Sequence, residues 1–210
     1  MMQKKILEHI VKKILALLAV LLLAGLTACG QSNVAAKVGE VTISQTNLQE
    51  TVDLVLTERA GVDTSQMQVE IGEGLNRNQL QFYIFVAIYD AIAEDLGIKI
   101  STTELTTTRA DLITRNGGPE QFNQALIGAQ IASENLDKYV RLVLISDKLT
   151  QAATASGVPE ADVNNQISTL ITKKAEELMI EVNPRYGTWD PKGLTIVATE
   201  SAGDAVTPTE

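Results

Sequence analysis

Residues 79–96 read Gln79-Leu80-Gln81-Phe82-Tyr83-Ile84-Phe85-Val86-Ala87-Ile88-Tyr89-Asp90-Ala91-Ile92-Ala93-Glu94-Asp95-Leu96, and this stretch decides the fold class. Leu80, Phe82, Ile84, Phe85, Val86, Ile88, Ile92 and Leu96 make it the strongest helix of the chain, and Gly97 stops it. Residues 82–89 are apolar nearly all round, which marks a buried central helix. The remaining elements must then wrap around it.

Outward toward the N-terminus, residues 61–76 are rich in glycine and glutamine and read as loop, Gly72-Glu73-Gly74 included. Before them, Leu48, Val52, Val55 and Leu56 share one face of a helix over residues 45–60, with Ser44 as its cap. Val38-Gly39-Glu40-Val41-Thr42-Ile43 places β-branched residues around a glycine turn and predicts a short strand or tight hairpin.

Outward toward the C-terminus, Ser101-Thr102-Thr103-Glu104 is a capping box that opens a second helix, ending near Asn116-Gly117. Pro119 at a first helical position starts a short helix, and Ser133 opens a long one carrying Leu136, Val140, Val143, Leu144 and Leu149. Val158-Pro159 restarts the chain in a last helix with Val163, Ile167, Leu170, Ile171 and Leu178. After Ile180 the apolar period changes to two, and Pro184-Arg185-Tyr186-Gly187 turns the chain. Residues 199–210 lack large apolar side chains and read as a disordered tail. The fold class is mainly α, as a single domain over residues 37–198.

The N-terminus carries a different pattern. Lys4, Lys5, Lys12 and Lys13 precede an apolar run over residues 14–26, followed by Leu26-Thr27-Ala28-Cys29. A charged region, a short apolar region and small residues make an export signal over residues 1–28, and the run is short for a membrane span. The last four residues resemble a bacterial lipobox. That resemblance implies cleavage before Cys29 and lipidation of its thiol, with residues 29–36 as a tether. The plainer reading is an ordinary cleavage site that contains a cysteine.

Export changes the composition. The whole chain has 210 residues and a net charge of −9; loss of four lysines and Glu8 with residues 1–28 takes the net charge to −12. Nucleic acid and anionic lipid surfaces both need basic groups, so neither is a partner, and the lipid itself would hold the protein at the membrane. His9, the one histidine, leaves with the same segment, and Cys29 is the one cysteine. What remains has no Ser-His-Asp or Cys-His arrangement and no histidine-ligated metal site. It also has no GxxxxGK[ST] or GxGxxG phosphate loop. No catalytic residue, metal or cofactor is expected.

Four motifs in order carry a family resemblance. Residues 37–44, Lys37-Val38-Gly39-Glu40-Val41-Thr42-Ile43-Ser44, lead straight into a helix. Leu96-Gly97-Ile98-Lys99-Ile100-Ser101 precedes Glu104. Gly117-Gly118-Pro119-Glu120-Gln121-Phe122 opens a short helix before a long one. Val182-Asn183-Pro184-Arg185-Tyr186-Gly187-Thr188-Trp189-Asp190 closes the fold. Together, over about residues 35–197, they resemble the SurA N-terminal-domain family, the helical chaperone module of SurA- and PrsA-type extracytoplasmic folding factors. The resemblance implies that residues 37–43 pair with part of 180–198 in a small sheet. Many relatives insert a parvulin-type prolyl isomerase domain before the returning C-terminal helix. Here residues 154–158 leave no room for one, which implies a module without isomerase activity.

Individual side chains are weighed against their structural roles. Phe82, Tyr83, Phe85 and Tyr89 can hold unfolded segments, but apolarity all round the helix assigns them to core packing. Trp189 and Tyr186 read as plugs at the end of a small sheet. Arg185 reads as a salt-bridge or helix-terminus partner. Lys173, Lys174, Glu176 and Glu177 read as a solvated face with i,i+3 pairs. No client-binding residue is singled out. The function expected is a membrane-anchored lipoprotein on the extracytoplasmic face that binds non-native polypeptides. Three alternatives stay open: an accessory lipoprotein with one dedicated partner, a prolyl isomerase-related foldase, and a small-solute receptor.

Overall fold

Five apolar side chains spaced four apart along one helix, Ile84, Ile88 and Ile92 with Leu80 before them and the capping-turn Leu96 after, set the geometry; the first four are buried, and Leu96 at the C-cap is exposed. The computed structural model describes residues 33–199. The expected export signal, Cys29 and all of the expected tail except Thr199 lie outside the described residues.

The chain runs β1 (Val34–Val38), β2 (Val41–Ser44), α1 (Gln45–Arg59), α2 (Gly72–Asp95), α3 (Thr102–Arg115), α4 (Pro119–Gly128), α5 (Leu136–Ala155), α6 (Glu160–Glu177), β3 (Glu181–Val182), β4 (Thr188–Asp190) and β5 (Thr195–Val197). The architecture is mainly α with small antiparallel strand pairs. Helix α2 packs against α1, α5 and α6 and against both hairpin strands, so it is the central helix. One buried cluster joins Ala35, Val38, Leu48, Val52, Ile84, Ile88, Ile145, Ile171 and Ile196, drawn from both ends of the described chain.

The strand pairing follows the implied plan. β2, β1 and β3 form one antiparallel sheet in that order, with Lys37 opposite Thr42 on one side and Glu181 on the other. β4 pairs with β5, Trp189 facing Ile196.

Local chemistry sets the helix starts. The Ser44 hydroxyl accepts from the Asn47 N–H at 3.1 Å. Ser101 and Glu104 complete a reciprocal capping box: the Ser101 hydroxyl accepts the Glu104 N–H at 3.2 Å, and the Glu104 carboxylate accepts the Ser101 N–H at 2.8 Å. Pro119 occupies the first turn of α4.

Two boundaries differ from expectation. Val34 to Ala36 are strand, not tether, because Ala35 and Ala36 are fully buried between β2 and β3 and small enough to pack there. Gly72-Glu73-Gly74 is not loop but the first turn of α2. Leu75 is fully buried at that point and draws the turn onto the core, while Glu73 pairs with Arg77 one turn on.

Candidate functional site

Helix α2 has a second face besides the one in the core, apolar in its N-terminal part and acidic toward its C-terminal end. Tyr83, Val86, Ala87, Asp90, Ala91, Glu94 and Asp95 follow the i, i+3, i+4 rhythm of one helical stripe, and they line an open groove of about 650 Å³. The opposite wall is the β1–β2 hairpin, through Val38, Val41, Thr42 and Ile43, and Leu178 lies at the end of α6. The two alanines give the groove its depth. Val41 is 51% exposed on the wall, a large apolar side chain left in water.

The ionic groups at the rim divide into committed and uncommitted. Lys174 Nζ lies 2.5 Å from Asp95 Oδ2 and also bonds Glu177, and these two carboxylates raise its pKa above the ordinary lysine value. Asp90 Oδ1 accepts from Arg141 Nε at 2.6 Å. Lys138 Nζ donates to Asn135 Oδ1 at 2.8 Å and sits 5.8 Å from the Tyr83 ring centroid, a cation–π arrangement. Glu40 and Glu94, both exposed, make no ion pair among the described residues. Lys138 has no carboxylate partner among the described residues either, so the balance is set by the lining as a whole, where four carboxylates, Glu40, Asp90, Glu94 and Asp95, face two lysines, Lys138 and Lys174.

Tyr83 anchors one end. Its hydroxyl lies 2.6 Å from Thr51 Oγ1, and the Thr51 hydroxyl donates to Glu134 Oε1 at 3.0 Å. The phenol is then the donor to Thr51 and accepts from Asn135 Nδ2 at 3.2 Å. A fixed tyrosine gives the groove a rigid end wall.

The aromatic cluster thus divides. Phe85 and Tyr89 are half-buried and packed on the core as expected; Tyr83 does so too, but also faces the groove. Phe82 packs edge-on against Tyr83, their centroids 5.8 Å apart. Trp189 and Tyr186 pack on the core from the C-terminal segment, Trp189 from within β4 opposite Ile196. Arg185 departs from expectation: it makes no salt bridge among the described residues, but donates to Gln45 Oε1 at 2.7 Å and lies 5.4 Å from the Tyr186 ring. The expected i,i+3 pair is the one between Lys174 and Glu177, with Lys173 3.9 Å from the same glutamate on the solvated face; Lys174 departs from expectation only in being turned inward, where it also pairs with Asp95. The groove itself escaped the sequence reading. Its signal was the stripe of small and apolar residues 83, 86, 87 and 91, which is indistinguishable from core until a partner element is seen to be missing.

Among the described residues no group of three or more His, Cys, Asp or Glu side chains is placed to hold a metal ion, and no helix is long and apolar enough to cross a membrane. Helices α5 and α6 are joined by residues 156–159 alone, with no domain inserted between them.

The groove is thus open to solvent, held on a helical scaffold and walled on one side by the hairpin. A family model, the SurA-like N-terminal domain, matches residues 1–150, and the chain belongs to that family. The family is a chaperone module, not a catalytic one. No curated protein and no solved structure matches the chain.

Proposed function

We propose that this chain is a membrane-anchored lipoprotein of the extracytoplasmic face whose helical module binds non-native polypeptide without isomerase activity. The observation that carries the binding reading is the groove between α2 and the β1–β2 hairpin, open to solvent and apolar along its floor. Family membership supports the same reading. A client enters by exchanging its water-exposed apolar surface for this floor, a reversible step that needs no nucleotide or metal. The anchor rests on the lysine-rich start, the apolar run and Leu26-Thr27-Ala28-Cys29. Two acyl chains on Cys29 would hold the protein stably at the membrane, and the acidic surface would keep the folded part soluble there.

The test of binding is aggregation of a chemically unfolded client with the full chain, in detergent, added at equimolar ratio. Slower aggregation across several clients is expected, and no effect on any of them refutes the reading. The anchor is tested separately by mass spectrometry of the membrane-extracted protein. A diacylated N-terminal Cys29 is expected; an unmodified chain beginning elsewhere removes the anchor.

A further inference from the structure

Strand β2 is the outer strand of its sheet, and it forms a wall of the groove. Its sequence, Val41-Thr42-Ile43-Ser44, holds neither lysine nor proline, the residues that usually protect an edge from pairing. Gly39 has φ +56 and Glu40 is not in the left-handed region, which makes Gly39-Glu40 a two-residue turn of the II′ kind. In such a hairpin the residues flanking the turn, Val38 and Val41, exchange the ladder hydrogen bonds. The next pair, Lys37 and Thr42, then directs its N–H and C=O groups outward. Thr42 is exposed, so its free donor and acceptor face the open side of the sheet.

Resting on the polypeptide-binding reading, we propose that the groove takes an extended, apolar client segment carrying a lysine or arginine, which adds to β2 as a further strand. Backbone hydrogen bonds to Thr42 hold the segment, alternate side chains lie on Val86, Ala87 and Ala91, and its cation sits at the Glu40 and Glu94 rim. Charge selects this occupant over a second copy of the chain, because the chain is itself strongly acidic, at −9 overall, and its own surface is repelled by an acidic rim.

The experiment measures binding of short synthetic peptides of alternating valine and threonine to the full chain in detergent, at low salt. Three peptides are compared: one with a central lysine, one with a central glutamate, and the lysine peptide N-methylated on its backbone. The lysine peptide is expected to bind roughly threefold to tenfold tighter than the glutamate peptide, the range set by exposed ion pairs. Glu40→Gln with Glu94→Gln, both at exposed positions, should erase that preference while leaving the unfolding curve unchanged. N-methylation should abolish measurable binding. Equal affinity for the lysine and glutamate peptides, or full affinity of the N-methylated one, overturns the proposal. If aggregation of unfolded clients is nevertheless suppressed, the broader binding reading survives that result; if it is not, both fall. Dimerisation in solution that Val41→Lys abolishes, with no peptide bound, assigns the groove to a second copy and also overturns the proposal.

Discussion

The amide N–H of Gly39 donates to the carbonyl oxygen of Leu178 at 2.8 Å, so the turn of the N-terminal hairpin is fastened to the residue that ends α6. The bond joins the wall of the groove to the C-terminal return of the chain. Gly39 adopts φ +56, and a Cβ at that position would stand 3.0 Å from Leu178 Cδ2. Gly39→Ala should therefore lose about 1–2 kcal/mol from the left-handed backbone alone, with the tight contact adding to it. Gly39→Asn should lose less of the backbone component, because asparagine tolerates that region. Urea denaturation of the two variants measures the difference.

The two faces of α2 should respond oppositely to substitution. Ile88 is fully buried, and Ile88→Ala should cost about 2–5 kcal/mol through lost transfer energy and a residual cavity. Ala87 and Ala91 line the groove, and enlarging both to leucine should fill it while changing stability by no more than about 1 kcal/mol. Thermal unfolding and client aggregation, measured on both variants, separate the roles. The Ala87→Leu and Ala91→Leu chain should unfold normally and protect clients poorly.

This contrast also marks what could be read in advance. Helix starts with a capping signal were legible because such signals are local: Ser44, the Ser101–Glu104 box and Pro119 each act within a turn, whereas the start of α2 at Gly72 was not, because Ile71 at its cap makes no side-chain cap hydrogen bond. The pairing of β1 with β3 was carried by the family resemblance, since nothing local to Lys37 specifies Glu181. The groove was not legible, because an apolar helix face looks the same in sequence whether or not another element covers it. Arg185 was misread for a related reason. Its partner, Gln45, lies 140 residues away in the sequence, so nothing local to Arg185 points to it.

Acid should act through the capping box of α3. Lys148 Nζ lies 2.6 Å from Glu104 Oε1, and with the N–H and hydroxyl of Ser101 it holds the Glu104 carboxyl down to about 2. A carboxyl depressed in the folded state stabilises fully above its ordinary value, near 4.5, and this contribution is lost as pH falls toward about 2. Glu104→Gln should be less stable than the parent at neutral pH. The gap between the two unfolding curves should close between pH 4.5 and 2. A gap that stays constant across that window would show that Glu104 does not titrate this way.

The loop between α1 and α2 depends on one buried polar cluster. Arg59 is 8% exposed and its pKa is lowered by burial; Arg59 Nη2 donates to Gln130 Oε1 at 2.8 Å and Nη1 to the Glu70 carbonyl at 2.7 Å. The same Gln130 oxygen accepts the Glu70 N–H at 3.0 Å, and the Gln130 carbonyl accepts from Gln79 Nε2 at 2.7 Å. Gln130 therefore joins the start of α2, the end of α1 and the loop, and it does so at φ +60, a backbone cost that the cluster offsets. Gln130→Leu keeps the bulk but removes both side-chain acceptor contacts. It leaves a buried guanidinium and a backbone N–H short of a partner, and should cost about 2–4 kcal/mol. Hydrogen exchange should localise the damage: the Glu70 amide should lose its protection, while the amides of α5 keep theirs relative to global stability. Uniform loss of protection would instead mean that the loop is not separately held by this residue.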